Sequence, residues 1–413
     1  MKKGIVAGLD LGTTKVGAVI AEQDENVQTV LGFSVVKSEG LNRGLVANIT
    51  KTAEAIEKAM QIASNRAGLE VEAINVGVAG EHITSLRHRN YVTISNPDKE
   101  ITADDIVRLR EDVKTISIPS DKKILHIIPE EFIVDNQGGI DDPIGMCGSK
   151  LEAVNHVVLA AIPAIENIKR SVERAGYNVN KYVLQPIASC ASVLEESEQD
   201  LGVVLIDIGG GTTDVALFHD KAIKYTKVFG VAGNQVTKDV RESLGIITDD
   251  AENLKINYGY ATEEAIIRDE DILIKGVGAR GNIKIPVSLL TQIISVRMRE
   301  LFALIDKDLR SAQVKNKIKA GVVLTGGGSL LRGCVELAEE IFGLPARMGV
   351  PQDLMGELPE EIEKPEFATV AGLIRGIPGV PDETSAGKGF SKQRGKSKVG
   401  GFLKKIQEFF DEL

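Results

Sequence analysis

The chain has 413 residues, 43% of them hydrophobic, and a formal net charge of −10. That length suits two ordinary domains or one bilobal unit with full cores, and argues against a disordered or minimal scaffold. The acidic balance argues against a dedicated nucleic-acid binder, and three scattered cysteines with no CxxC pair suggest neither a disulfide framework nor a zinc site.

From the start, residues 4–36 predict two or three strands joined as hairpins, because β-branched runs alternate with turn formers. The first run is broken at Asp10 and by glycines, unlike a secretory signal, and no later apolar run is long enough to span a bilayer. Residues 50–68 have helical spacing ending at Gly68, and residues 73–80 predict a buried strand. Residues 84–160 predict a small inserted α+β unit, with Thr102 capping its helix. Helices are expected at 164–176 and 185–198, and from 233 a mainly helical stretch runs to a strand, Gly turn and helix over 322–343. Residues 365–376 predict one more helix closing the body, and from Pro378 the composition turns to Gly, Ser, Lys and Pro, which is linker chemistry.

Two stretches share one pattern: GLDLGTTKVGAVI at 8–20 and LIDIGGGTTDVAL at 205–217. Each is a buried run ending at an Asp and passing into a Gly/Thr turn. Backbone N–H groups and hydroxyls of such a turn cradle anions, and the Asp suits a hydrated Mg2+ shell. Lys15 adds a point charge suited to phosphate. One such turn could be an ordinary hairpin; two, with a third Gly-rich turn at LTGGGSLL (324–331), point to one phosphate site with two jaws. Neither a GxxxxGK[ST] nor a GxGxxG turn lies between a strand and a helix.

DLGTTK (10–15), DIGGGTTD (207–214) and TGGGSLLRG (325–333) resemble the two phosphate motifs and the adenosine motif of the actin, Hsp70 and sugar-kinase superfamily. QPIASCASVLE and PEFATVAGLIRG resemble its two connecting helices. The resemblance implies an α/β, actin-like fold in which two ribonuclease-H-like lobes clamp ATP and Mg2+. By position, Asp10 and Asp207 would hold the hydrated Mg2+. Gly12, Thr13, Thr14 and Lys15 would take one side of the phosphates, and Gly210, Gly211, Thr212 and Thr213 the other. Gly233, Asn234, Glu252, Lys255, Gly326, Gly327, Gly328 and Ser329 would complete the nucleotide site, and Gln185 falls where relatives position the attacking water. Binding of MgATP is implied; hydrolysis is left open, being weak or slow if present, since it needs an in-line water and domain closure.

Across nearly its whole length the chain is similar to the FtsA family of bacterial cell-division proteins. LHIIPEEFIVDNQGGIDDPIGMCGSKLEAVNHVV (125–158) resembles the subdomain that this family inserts in its first lobe. The implied organisation is a first lobe of 1–83 and 161–198 closed by 365–376, an insert of 84–160, and a second lobe of 199–364 with a smaller subdomain of about 231–320. A flexible basic linker at 378–399 and an amphipathic helix at 400–413 would follow.

That last segment also has a physical reading of its own. Phe402, Leu403, Ile406, Phe409, Phe410 and Leu413 fall on one helical stripe, and seven Lys or Arg lie between Thr384 and Gln407 with no acid. A basic approach and an apolar face fit an interfacial anchor on anionic lipid. The resemblance implies self-assembly into filaments at the inner face of the plasma membrane and tethering of the tubulin-like FtsZ ring by its short C-terminal peptide. Arg297 and Arg299 on the helix of 288–305 would meet that peptide, and the insert would serve later division proteins. A sugar or carboxylate kinase would use the same hairpins but has no use for a tethered amphipathic helix; an Hsp70-like chaperone would need a second large domain. A pilus-assembly relative would share the core.

Overall fold

The structure, a computed structural model, describes residues 4–24, 27–96, 98–275, 281–356 and 359–376. The expected linker and amphipathic helix, with Phe402, Leu403, Ile406, Phe409, Phe410 and Leu413, lie outside the described residues.

Both halves of the chain fold to one plan. In the first, antiparallel strands Gly4–Leu11, Lys15–Asp24 and Val27–Lys37 are joined by parallel strands Ala73–Val78 and Asn178–Leu184, in the sheet order third, second, first, fourth, fifth. In the second, Val203–Ile208, Thr213–His219 and Ala222–Phe229 are joined by Gly321–Thr325 and Ala346–Met348 in the same order. Leu354–Gly356 adds a strand to the free edge of the first sheet. The first strand of the second half, VVLIDI, is buried throughout, which is why it reads as a continuous apolar run.

The helix Ile49–Ala67 covers the first sheet. Asn48 Oδ1 accepts from Lys51 N at 3.0 Å and Gly68 closes the other end at φ 67°, while Ala53, Ile56, Ala59, Met60 and Ala63 form its buried face. The helix lies so close to the sheet that a Cβ on Gly32 would stand 2.1 Å from Ala63 O.

The insert is a four-stranded sheet ordered Gln137–Ile140, Lys122–Val134, Lys150–Ala161, Thr84–Thr93, with the helix Ala103–Val113 packed on it. Thr102 starts that helix as expected: its N–H and hydroxyl both reach Asp105 Oδ2, at 2.8 and 2.7 Å. The insert also rests on the second lobe. Ser85 Oγ donates to Thr226 O at 3.2 Å, His156 Nε2 lies 2.8 Å from Thr226 Oγ1, and Lys224 Nζ donates to Glu130 O at 3.2 Å.

Three expected elements differ. The helix over 185–198 is two helices, Gln185–Val193 and Glu196–Leu201, because Leu194 is extended at φ −99°, ψ 135° and the Glu195 N–H turns to Glu198 Oε2 at 3.0 Å. The mainly helical stretch from 233 contains a hairpin, Asp271–Ile274 with Ile283–Pro286, ahead of the helix Val287–Ser311. The closing helix opens as a 3-10 turn, Pro365–Phe367, and is α-helical over Ala368–Gly372. This short helix crosses Gln185–Val193 at backbone contact: a Cβ on Gly372 would lie 1.7 Å from Ala188 O. Among the described residues no helix is long and apolar enough to cross a membrane.

Candidate functional site

The two Gly/Thr turns face each other. A Cβ on Gly210 would meet Thr14 Cγ2 at 2.3 Å, and one on Gly211 would meet Thr13 Oγ1 at 2.3 Å. Each turn follows an Asp placed one residue before its strand ends: Asp10 pairs across its hairpin with Gly17, and Asp207 with Asp214. The shared plan of the halves therefore delivers Asp10 and Asp207 to one place from opposite sides.

All three carboxylates are buried. Burial, with a push from Asp207 and against the pull of Lys15, raises Asp10 to about 7. Burial likewise raises Asp207, against hydrogen bonds from Ser189 and Thr369, and lifts Asp214 well above the usual carboxylate range, with Asp207 adding to the effect. Lys15 is lowered by burial, with Glu366, Asp10 and Asp207 opposing. Asp10 and Asp207 act on Lys15, Asp214 acts with those two acids, and Asp214 Oδ1 is buried without a hydrogen-bond partner. Among the described residues no three acids are close enough to chelate a metal directly, so a cation here would be reached through water. Oxygen donors with excess negative charge fit a hard divalent cation. Glycine at 12 is required by the turn itself, since a Cβ there would lie 2.7 Å from Lys15 O, and glycines at 210 and 211 let the opposite turn approach.

Neighbouring groups fix the acids. Gln185 Nε2 donates to Asp10 Oδ1 at 2.9 Å, Ser189 Oγ to Asp207 Oδ2 at 2.7 Å, and Thr369 Oγ1 to the same oxygen at 3.3 Å. The amide of Gln185 is thus engaged by a carboxylate. Lys15 Nζ lies 3.5 Å from Glu366 Oε2.

Other expected residues divide between the cleft and its support. Gly233 N and Asn234 N donate to Gly209 O and Gly210 O at 3.0 and 2.8 Å, so these N–H groups at the start of the helix Gly233–Leu244 anchor the second turn. Thr212 Oγ1 donates to Asp214 Oδ2 at 3.3 Å and Thr213 Oγ1 to Val231 O at 2.7 Å. Lys255 Nζ reaches Glu252 Oε2, Thr237 Oγ1 and Gly233 O at 2.7, 2.9 and 3.2 Å, which ties the helix Thr248–Tyr258 to that same helix start. In the third turn the chain makes a 3-10 turn over Gly327–Leu330, and the helix begins only at Cys334. Gly326 has φ 82° and its absent Cβ would stand 2.3 Å from Asp207 Oδ1, so only glycine fits. Gly327 is exposed beside Glu366, while Gly328 packs on Ile208 and Ser329 Oγ closes the turn onto Gly326 O at 2.6 Å.

Arg297 and Arg299 lie on Val287–Ser311, and both are engaged. Arg297 Nε is 2.6 Å from Asp239 Oδ2 and Arg299 Nη2 is 2.8 Å from Glu340 Oε2. An acidic peptide would have to displace these carboxylates.

The residues that sequence reasoning missed are Asp214, Ser189, Thr369 and Glu366. Asp214 stands within the quoted DIGGGTTD, with its Asp-to-Asp spacing as the available signal. Ser189 and Thr369 reach Asp207 only through the crossing of two helices, which carries no local signal.

A family model described as "Cell division protein FtsA" matches residues 204–372, and one described as "SHS2 domain inserted in FTSA" matches residues 80–159. The chain is similar to curated proteins named "Cell division protein FtsA" from Pseudomonas aeruginosa (40% identical, covering 90% of this chain and 88% of that one) and Neisseria meningitidis serogroup B (41%, 89% and 89%). The relative from Escherichia coli strain K12 is 31% identical over 90% of this chain and 89% of its own. Among solved structures, a "PilM-PilN type IV pilus biogenesis complex" chain aligns at TM-score 0.65 with 17% identity, covering 89% of this chain and 97% of its own. MreB5 of Spiroplasma citri bound to ADP aligns at TM-score 0.55 with 15% identity, covering 89% and 94%. Such likenesses carry the actin-like fold, and the identities above carry the rest: the chain belongs to the FtsA family of cell-division proteins.

Proposed function

We propose that the cleft binds ATP with Mg2+, and that nucleotide binding serves assembly of the chain with itself at the inner face of the plasma membrane, where it tethers the FtsZ ring. The observation that carries the nucleotide reading is that Asp10 and Asp207 act on each other and on Lys15 where two glycine turns from opposite halves come into contact. Asp10 and Asp207 would hold Mg2+ through water, which neutralises the phosphate charge; Lys15 and the turn N–H groups would bind phosphate oxygens. A neighbour of the same fold bound to ADP supports nucleotide binding by this fold. Gln185, bonded to Asp10, is poorly free to orient water, which supports slow turnover at most.

The membrane reading is supported by family membership and by the apolar stripe of residues 402–413. Six large apolar side chains, partly buried at ~1 to 2 kcal/mol each, are largely offset by the entropy of ordering the segment. One anchor would therefore bind weakly and an assembled row of them strongly. Later division proteins would meet the insert, and the FtsZ peptide the smaller subdomain of the second lobe. The test is co-sedimentation with anionic vesicles: removal of residues 400–413 should release the protein from lipid while leaving ATP binding intact. Persistent vesicle binding by the shortened chain would overturn the anchor, and absence of ATP binding by the full chain would overturn the cleft assignment.

A further inference from the structure

One turn of one helix reaches the aspartate of each lobe. Gln185 and Ser189, four residues apart on Gln185–Val193, share a helix face. The first donates to Asp10 Oδ1 at 2.9 Å and the second to Asp207 Oδ2 at 2.7 Å. Thr369, on the crossing helix, lies 2.9 Å from Ser189 Oγ and 3.3 Å from the same Asp207 oxygen. Ser189 has no exposed surface, so its hydroxyl has no water to turn to.

A serine inside a helix ordinarily bonds a carbonyl one turn back along its own helix. Ser192, on the same helix, behaves in that way: its hydroxyl bonds Ser189 O at 3.0 Å and Ala368 O at 2.7 Å, and so ties the two crossing helices together. Ser189 instead spends its proton on a carboxylate of the cleft. With Oδ2 of Asp207 held by two hydroxyls, its Oδ1 points to the place that Gly326 keeps clear, where a Cβ would stand only 2.3 Å away.

We propose that Ser189, with Thr369 beside it, is a positioning residue for divalent-cation binding, and that the turn from Gln185 to Ser189 is the spacer that sets the two aspartates of the opposing lobes at one separation. The inference rests on the MgATP reading of the cleft. Side chains that orient metal-holding carboxylates in this way typically change metal affinity ten- to hundredfold when removed.

The experiment is equilibrium binding of a fluorescent ATP analogue to the full chain, in EDTA and across a Mg2+ titration. Ser189→Ala should raise the Mg2+ concentration for half-maximal effect about tenfold while leaving the affinity in EDTA unchanged. Thr369→Val should shift the Mg2+ midpoint in the same direction by less. Ser192→Ala, which breaks only contacts between the helices, should lower thermal stability without moving the midpoint. An unmoved midpoint in Ser189→Ala, an equal loss of affinity with and without Mg2+, or a like shift in Ser192→Ala would each overturn the positioning role. A wild-type protein whose binding ignores Mg2+ would instead overturn the cleft reading itself, and this inference with it.

Discussion

Lys15 Nζ lies 3.5 Å from Glu366 Oε2 and 4.3 Å from the centre of the Phe367 ring. The lysine of the first Gly/Thr turn is thus held by the segment that leads into the closing helix, and on the proposed MgATP reading an entering phosphate would compete with Glu366 for it. Both side chains are partly exposed, so the pair is worth at most about 1 kcal/mol. Glu366→Gln should tighten ATP binding about two- to fivefold, whereas Lys15→Ala should weaken it. Titration with a fluorescent ATP analogue measures both; weaker binding by Glu366→Gln would show that the carboxylate aids the lysine instead of competing for it.

Acid should loosen the seat of the insert. His126 and His156 are buried, and burial pulls each down to about 4, with the neighbouring His156 adding to the effect on His126. Because these folded-state values lie below the ordinary 6.5, the stability contributed by the neutral rings is complete above that pH and is lost as pH falls from there toward 4. The loss is on the order of 3 kcal/mol for each ring at the acid end. His126 Nε2 accepts from Leu184 N at 3.0 Å, so protonation also removes an acceptor. Calorimetry between pH 7 and pH 4.5 should show a falling Tm, with a shallower fall in His156→Gln; an identical profile in that variant would remove His156 from the account.

The contact between the two Gly/Thr turns leaves little space for a methyl group. Gly210→Ala would set a Cβ 2.3 Å from Thr14 Cγ2, so the lobes stand further apart unless the exposed Thr14 side chain turns aside. ATP affinity should fall at least tenfold, with a loss of about 1 to 3 kcal/mol in stability from overpacking. Small-angle scattering should report a larger radius of gyration than that of the wild type, and an unchanged radius with normal affinity would show that the turn alone adjusts.

Gly372 is the tightest backbone approach at the crossing of the two connecting helices. In Gly372→Ala the new Cβ would stand 1.7 Å from Ala188 O, and backbone on both sides leaves neither helix a side chain to swing away. The loss should exceed about 3 kcal/mol, near the upper end for a single substitution. Urea denaturation measures it, and a loss below about 1 kcal/mol would mean that the helices slide freely past each other.

The hairpins were legible in the sequence because continuous buried strands and Gly/Thr turns are local patterns, and Thr102 was legible as a helix start for the same reason, its partner Asp105 being supplied by the structure. The break at Leu194 was not: nothing in QPIASCASVLEESE marks it, since it depends on Glu195 and Glu198 capping a second helix and on Arg347, whose Nη2 lies 2.6 Å from Glu198 Oε2. The hairpin at Asp271–Ile274 and Ile283–Pro286 was missed because four-residue strands carry too little periodicity to stand out. Within the cleft, Asp10 and Asp207 were legible from the repeated motif. Ser189, Thr369 and Glu366 were not, since their partners lie up to about 350 positions away in the chain.

The duplicated plan has one further consequence. Across from Asp10 the first hairpin has Gly17, whereas across from Asp207 the second has Asp214. The first half adds a lysine after its turn at position 15, and the second half has Asp214 one residue past the equivalent stretch. Two halves alike in backbone are therefore unlike in side chains: one wall of the cleft pairs a lysine with its aspartate, and the opposite wall has two aspartates and no lysine in its turn. A ligand whose charge is gathered at one end would meet two unlike walls, so the duplicated scaffold does not offer it two equivalent orientations.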